Sequence, residues 1–447
     1  MTVLRPIGKN TKIALFKQEA VEGTYIAPTE AQHFVSEGLK YTPSSIEDPS
    51  NIGKVFTSDM VKTGYTVEGS VEMKAHPYFV GDALYFTLGK DSEPEDPARA
   101  YLLIWYNGAS NYSRIKQVGT DLIAEKSVDG TTWVDDTAFG TSGTYSLTGE
   151  TAAEIATDIS AFVGFKAVAL GDGTAPSTLM TAFTAEVLKQ DGIMTGACIR
   201  PFPVESVISQ SHYIYADDSA VEDIPSFSGI VDRNFGASKD IGLAGCKVSS
   251  LGISFEPKNL VGLSLNIKAK HQYNDKEIGN ITIPASKAYT TNLSKIFVGS
   301  LVAQEIKDST LTINNNMFTD ETVGEETFKS QGRQGASIEI AGNLNLTVSD
   351  DVDEETVYLQ REMQADRPVE YISYMEGMDY ADSALKAKYS VLIRVRAMKL
   401  TDCSPVITGP ERLTLPFSGQ AVAPKIGRHI DVWVVNNQLT AYTPAEV

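Results

Sequence analysis

Apolar and polar residues alternate one for one through most of this chain, with turn residues between the runs. A period of two puts successive side chains on opposite faces of an extended backbone, so the pattern predicts a mainly β protein built from half-buried antiparallel strands. In residues 65–73, YTVEGSVEM, Tyr65, Val67, Val71 and Met73 share one face, while Thr66, Glu68, Ser70 and Glu72 share the other. Residues 336–348, ASIEIAGNLNLTV, repeat the arrangement: Ile338, Ile340, Leu344, Leu346 and Val348 oppose Ser337, Glu339, Asn343, Asn345 and Thr347. Each stretch has one face to pack and one to wet.

The segments downstream of the two strands are also alike. Residues 77–89, PYFVGDALYFTLG, set Val80, Leu84, Thr87 and Leu88 on one helical stripe behind a Pro that favours a helix start. Residues 349–364, SDDVDEETVYLQREMQ, open with cap and first-turn acids and then run helically. A second pair of segments, 247–269 and 399–421, shares an opening Lys, a central Pro and an alternating end. Ser70 aligned with Ser337 gives an offset of 267, and Lys247 aligned with Lys399 gives 152, so the first half carries 115 extra residues (267 minus 152) between these anchors. The run EPEDP at 93–97 reads as the exit and QDG at 190–192 as the re-entry turn. Residues 98–190 contain Trp105, Trp133 and a capping box, Thr151 with Glu154, ahead of Ile155, Ile159 and Phe162. They are predicted to form an inserted α+β or β module, since a structureless stretch this long is rare in a compact fold.

Charge and motif content narrow the function. The 447 residues include 57 acidic and 38 basic ones, a formal net charge of −19, which repels a phosphate backbone and argues against tight nucleic-acid binding. The start, MTVLRPIGKNTKIALFKQE, has no continuous apolar stretch, and no run of 18 apolar residues occurs. A soluble protein made in a cytoplasm, with no membrane insertion, is expected. Cys198, Cys246 and Cys403 are too few and too far apart for a disulfide framework or a zinc motif, and are read as buried thiols. His33, His76, His212, His271 and His429 are scattered singly and read as structural or surface residues. Phosphate-loop, nucleophile-elbow and zinc-protease motifs are absent. The acidic cluster Asp350, Asp351, Asp353, Glu354 and Glu355 lacks the Gly of a calcium loop and is read as a helix start. Carboxylate pairs of the glycosidase kind depend on the fold and carry no weight either way. No catalytic, cofactor or metal-binding residue is assigned.

The opening ALFKQEAVEGTYIAPTEAQHFVSEGLKYTPS, with its EGTY-x-APT turn, resembles the start of bacteriophage tail tube (major tail) proteins. So does GYTVEGSVEMKAHPYFVGDALYFTLG, a strand and helix ending in Leu-Gly, and VSSLGISFEPKNLVGLSLNIKAK with FVGSLVAQEIKDSTLTINNNM and LTLPFSGQAV is similar to the later part of the same family. The resemblance covers most of the chain outside the insert. It implies a β-sandwich or barrel with a flanking helix, assembled as closed rings of six tube folds that stack into a hollow conduit for genome DNA. Residues 1–96 with 191–270 would form one tube domain, 275–447 a second, and 98–190 an outer module. Two folds per chain imply a trimeric pseudo-hexamer, with six single-fold chains as the alternative. Other tail proteins and transiently passing DNA are the implied partners, and the virion tail, assembled in the bacterial host cytoplasm, is the implied location. A different ring or surface structural protein (a type VI secretion tube, decoration or fibre subunit) and a β-rich carbohydrate-binding protein or enzyme are the competing classes.

Three further expectations concern placement in such an assembly. The module should project from the outer wall and be dispensable for ring closure. The polar stretches 40–64 and 315–335 should be loops that order against a neighbouring ring or subunit. Glu68, Glu72 and Glu339, on the polar faces of the duplicated strands, should line the lumen as an acidic wall.

Overall fold

The computed structural model describes residues 11–47, 60–216, 224–233, 240–279, 281–299, 306–320, 327, 330–333, 335–345, 352–404 and 414–442. The chain is mainly β, and its largest hydrogen-bonded network joins 17 strands. Among the described residues three α-helices accompany the strands: α1 (Val80–Leu88), α2 (Ala152–Ser160) and α3 (Val352–Gln364).

One pairing scheme occurs twice. In the first set, Met60–Lys74 lies between Phe34–Glu37 with Lys40–Glu47 on one side and Gly262–Ala269 on the other. Gly262–Ala269 pairs with the second half of the long strand Asp240–Phe255, whose first half pairs with Phe227–Asp232 and His271–Lys276. Phe227–Asp232 in turn pairs with Lys12–Gln18. In the second set Ile306–Asn314, Ser337–Asn345, Thr414–Ala421 and the long strand Ala387–Asp402 take the same places. Val369–Asp382, Ile430–Asn436 and Lys295–Val298 complete it in the same order. The irregularities coincide as well. Bulges fall between Phe34 and Ser36 and between Ile306 and Asp308. Others separate Phe227 from Gly229 and Val369 from Tyr371, and Val248 from Ser250 and Leu400 from Asp402. A one-residue slip would turn each strand inside out, so matched bulges mean that the two sets, hereafter repeats, share register as well as order.

That register revises the sequence alignment. Glu68 faces Lys268, and Glu339 faces Gln420, which lies 152 residues (420 minus 268) beyond Lys268. Glu68 therefore corresponds to Glu339, an offset of 271 (339 minus 68) in place of 267. An even shift of four leaves the inside–outside alternation unchanged, which is why alternation alone could not detect it.

The two repeats share one continuous apolar core, with Val67, Val71, Leu251, Ile253, Leu311, Ile340, Ile393 and Phe417 among its members. α1 belongs to this core and is not a surface helix with one apolar stripe: every residue from Val80 to Leu88 except Asp82 is buried. Thr87 is tolerated there because its hydroxyl donates to the Ala83 carbonyl at 2.6 Å.

The inserted module has its own core around Ile104, Ile115, Phe139, Ile155, Ile159, Phe165 and Phe202. Its boundary differs from the expected 98–190. Cys198–Pro203 pairs with Ala98–Tyr106, so the module extends to Pro203 and the first repeat resumes later than residue 191. The QDG at 190–192 is an internal hairpin turn between Glu186–Gln190 and Ile193–Met194, with Asp191 (φ 52°) and Gly192 (φ 73°) both in the left-handed region that such turns require.

Among their described residues the stretches expected as loops are largely strands. Lys40–Glu47 pairs with Met60–Lys74 along its whole length, and Met317–Asp320 pairs with Ser330–Arg333. Local polarity misled here because both hairpins are wetted on at least one face. Residues 48–59, 321–326, 328–329 and 334 lie outside the described residues, as do Asp350 and Asp351 and the side chains of Asp353, Glu354 and Glu355.

Candidate assembly surface and inner face

Residues 250–255 of the first repeat pair with 309–314 of the second, from Ser250 opposite Asn314 to Phe255 opposite Ser309. This joint makes one sheet of two four-strand halves, running from Lys40–Glu47 through Met60–Lys74, Gly262–Ala269, 250–255, Ile306–Asn314, Ser337–Asn345 and Thr414–Ala421 to the end of Ala387–Asp402. One face of that sheet is the core. The other carries hydroxyls and amides: Thr66, Ser70, Ser264, Asn266, Thr310, Thr312, Ser418 and Gln420. Over the second repeat it is hollowed into a depression of about 390 Å³ lined by Thr310, Thr312, Glu339, Thr401, Ser418 and Gln420.

The three glutamates singled out from the sequence lie on this face. Glu68 and Glu339 are exposed and occupy corresponding positions; Glu72 is half-buried and accepts a hydrogen bond from Ser264 Oγ at 2.7 Å. The expected acidic wall is not what surrounds them. Glu68 sits directly between Lys40 on one neighbouring strand and Lys268 on the other. Lys74 and Lys399 share the face, with Asp308 as a further acid. Acids and lysines are interleaved, so the net charge of the chain is carried elsewhere.

The free edges match the joint. Among the described residues Lys40–Glu47 pairs on one side only, and residues 399–402 have a partner only in Thr414–Ala421. By the repeat offsets these are the counterparts of the two strands that meet inside the chain: Thr42 corresponds to Asn314 (314 minus 272, the offset of Ile306 from Phe34), and Asp402 to Ser250 (250 plus 152). Sequence reading found the wet strands but not this joint. The signal was present in the two offsets, which place 250–255 and 309–314 at unlike positions of like repeats.

The module is not loosely attached. Tyr101, Leu103, Trp105, Leu170 and Ile199 pack against Phe297, Ile372, Tyr374, Leu392 and Val435 of the second repeat. Trp105, read as part of the module's own core, belongs to this contact. Its indole Nε1 donates to Glu370 Oε2 at 2.9 Å; the Ala197 N–H donates to the same oxygen at 2.9 Å, and Arg394 Nε donates to Glu370 Oε1 at 2.6 Å. Gly196, at φ +109°, lets the backbone pass, since a Cβ there would lie 2.5 Å from both Arg394 and Glu370. Removing the module would bare this apolar face of the second repeat.

The remaining chemistry is structural in placement. Cys198, Cys246 and Cys403 are buried free thiols, and burial raises the Cys198 and Cys403 thiols to about 11. His212 is buried with Nδ1 3.1 Å from Asp91 Oδ2 and Nε2 2.8 Å from the Gln438 carbonyl. His33 and His76 stack at 4.5 Å. Among the described residues no group of three or more His, Cys, Asp or Glu side chains could hold a metal ion. A cavity of about 570 Å³ beside Phe255, Lys258, Lys295 and Lys307 has no histidine or cysteine in its lining. No protein-family model matches the chain, and no curated protein matches it.

Proposed function

We propose that this chain is a structural subunit of a phage-type tail tube, joining edge to edge into rings that stack as a conduit. The observation that carries the reading is the internal joint between 250–255 and 309–314, together with the free counterparts of both strands at opposite ends of the same sheet. A heterologous joint made once inside the chain can be made again between chains, and such contacts either close into rings or run on as filaments. Two repeats per chain favour three chains in a ring of six repeats. The wet face, concave over the second repeat, would then line the bore. Its hydroxyls, amides and interleaved charges offer a polyanion neither a run of cations to bind nor a strong repulsive field. The arm formed by Lys40–Glu47 and Met60–Lys74 exposes Ile46, Met60 and Val61, a surface suited to contact with an adjacent ring. The test is negative-stain microscopy of purified protein: rings or tubes of uniform bore are expected, and monodisperse monomers at all concentrations would overturn the reading.

A further inference from the structure

The excursion that leaves the first repeat after α1 rejoins that repeat's strands at Phe227–Asp232, and between the two its described residues are fastened to the second repeat at several points. Strand pairing, an apolar contact with a buried ion pair at its centre, and polar contacts at the rim hold it. The strand Gln210–Tyr215 extends the second repeat's sheet by pairing with Ile430–Asn436 along its full length, and Lys90–Asp91 adds to its far side. The module lays the apolar face of Ala98–Tyr106 on Phe297, Ile372, Tyr374, Leu392 and Val435. The Glu370 carboxylate, almost wholly buried with Arg394, takes hydrogen bonds from Trp105 and Ala197 at the centre of that contact. At the rim, Lys425 reaches Asp191 at 2.8 Å and Ser206 Oγ donates to Asp382 Oδ2 at 2.8 Å. The corresponding outer face of the first repeat is closed differently, by Ala31, Ile278 and Ile281 against Ala14 and Ile230. The duplication is therefore broken here, where a segment rooted in one repeat is bound to the other.

We infer that residues 90–215 act as a strut that fixes the angle between the two repeats. The two sheet halves are joined by six residue pairs, 250–255 with 309–314, and by the shared apolar core, and neither holds one twist angle, because paired strands tolerate a range of twist and apolar burial is non-directional. A body bonded to one repeat and packed on the other removes that freedom. A pairing scheme repeated between chains closes only when its angle is held constant, so the strut would select closed rings over open arcs. This last consequence rests on the tube reading; the strut itself does not.

The test separates the two. Spin labels are placed at Val35→Cys and Lys307→Cys, exposed positions that correspond between the repeats (307 minus 35 is 272), while the native cysteines are buried. Pulsed dipolar spectroscopy on monomers then reads the inter-repeat distance. The otherwise unchanged chain should give one narrow distribution. Trp105→Ala should broaden it, and Glu370→Gln, which keeps the side-chain shape and weakens the central hydrogen bonds, should broaden it to a smaller degree; both should yield arcs or mixed ring sizes where the unchanged chain yields one ring size. If Trp105→Ala does not fold, Glu370→Gln decides. Unchanged distance widths in a folded variant would overturn the strut. A chain that forms no rings yet shows the broadening would leave the strut standing and overturn the tube.

Discussion

His76 shows how a single residue ties the fold to pH. Burial, reinforced by the neighbouring charge of His33 and opposed by a hydrogen bond with the Ser286 backbone, lowers its imidazole from 6.5 to about 4. The folded chain keeps the ring neutral where the unfolded chain protonates it. Its contribution to stability is therefore complete above about 6.5 and is lost as pH falls toward 4. His76→Gln removes that proton uptake, so its melting temperature should fall less steeply between pH 6.5 and 4 than that of the unaltered protein; parallel curves would contradict the assignment. Glu68 offers a second residue-scale test. Because it lies between Lys40 and Lys268, Glu68→Lys would create a row of three cations, and with Glu339→Lys the wet face would gain a salt-sensitive affinity for DNA. A shift assay at low and high salt reads this directly. If the double variant assembles normally and still ignores DNA at low salt, the face does not meet DNA. Loss of assembly would instead place these residues in a contact between chains.

Elements were legible in the sequence wherever one local rule decided them. The capping box at Thr151 forms as expected: Thr151 Oγ1 accepts from the Glu154 N–H, the Glu154 carboxylate accepts from the Thr151 N–H, and Ile155 and Ile159 are buried behind it. Thr151→Ala should cost about 1 kcal/mol, read as a lower melting point of the module. No change in stability would mean that this helix end is held by its packing alone. Within 65–73 and 337–345 the strands were legible for the same reason, since Val67, Val71, Ile338 and Ile340 alternate inward, whereas the strand's start at 60–64 was read as loop. The illegible features depend on distant partners. Nothing in HPYFVGDALYFTLG announces that α1 is enclosed on all sides, because Tyr442 and the strands that cover it come from far along the chain. The module's end at Pro203 was hidden similarly: Cys198–Pro203 is assigned by its pairing with Ala98–Tyr106, about a hundred residues earlier. Trp105 looked like a core residue and is one, but of an interface whose other half, Glu370, lies 265 positions away.

At the scale of the molecule, duplication was the strongest message of the sequence, and the structure sharpens it from a likeness of segments to a correspondence of registers. The candidate inner face was half legible. Alternation identified Glu68, Glu72 and Glu339 as wetted, while the lysines beside them could be placed only once strand neighbours were known. The central claim is that the joint made inside the chain is made again between chains. It predicts a specific register, Asp402 opposite Thr42, by analogy with Ser250 opposite Asn314. Cα atoms of directly opposed antiparallel residues lie within disulfide range, about 4.5–5.5 Å. A Thr42→Cys, Asp402→Cys double variant, assembled, oxidised and run on a non-reducing denaturing gel, should give covalent dimers and trimers and nothing larger, with the buried native cysteines as the silent control. A ladder that climbs past the trimer, or assembled material that does not cross-link, would contradict the account.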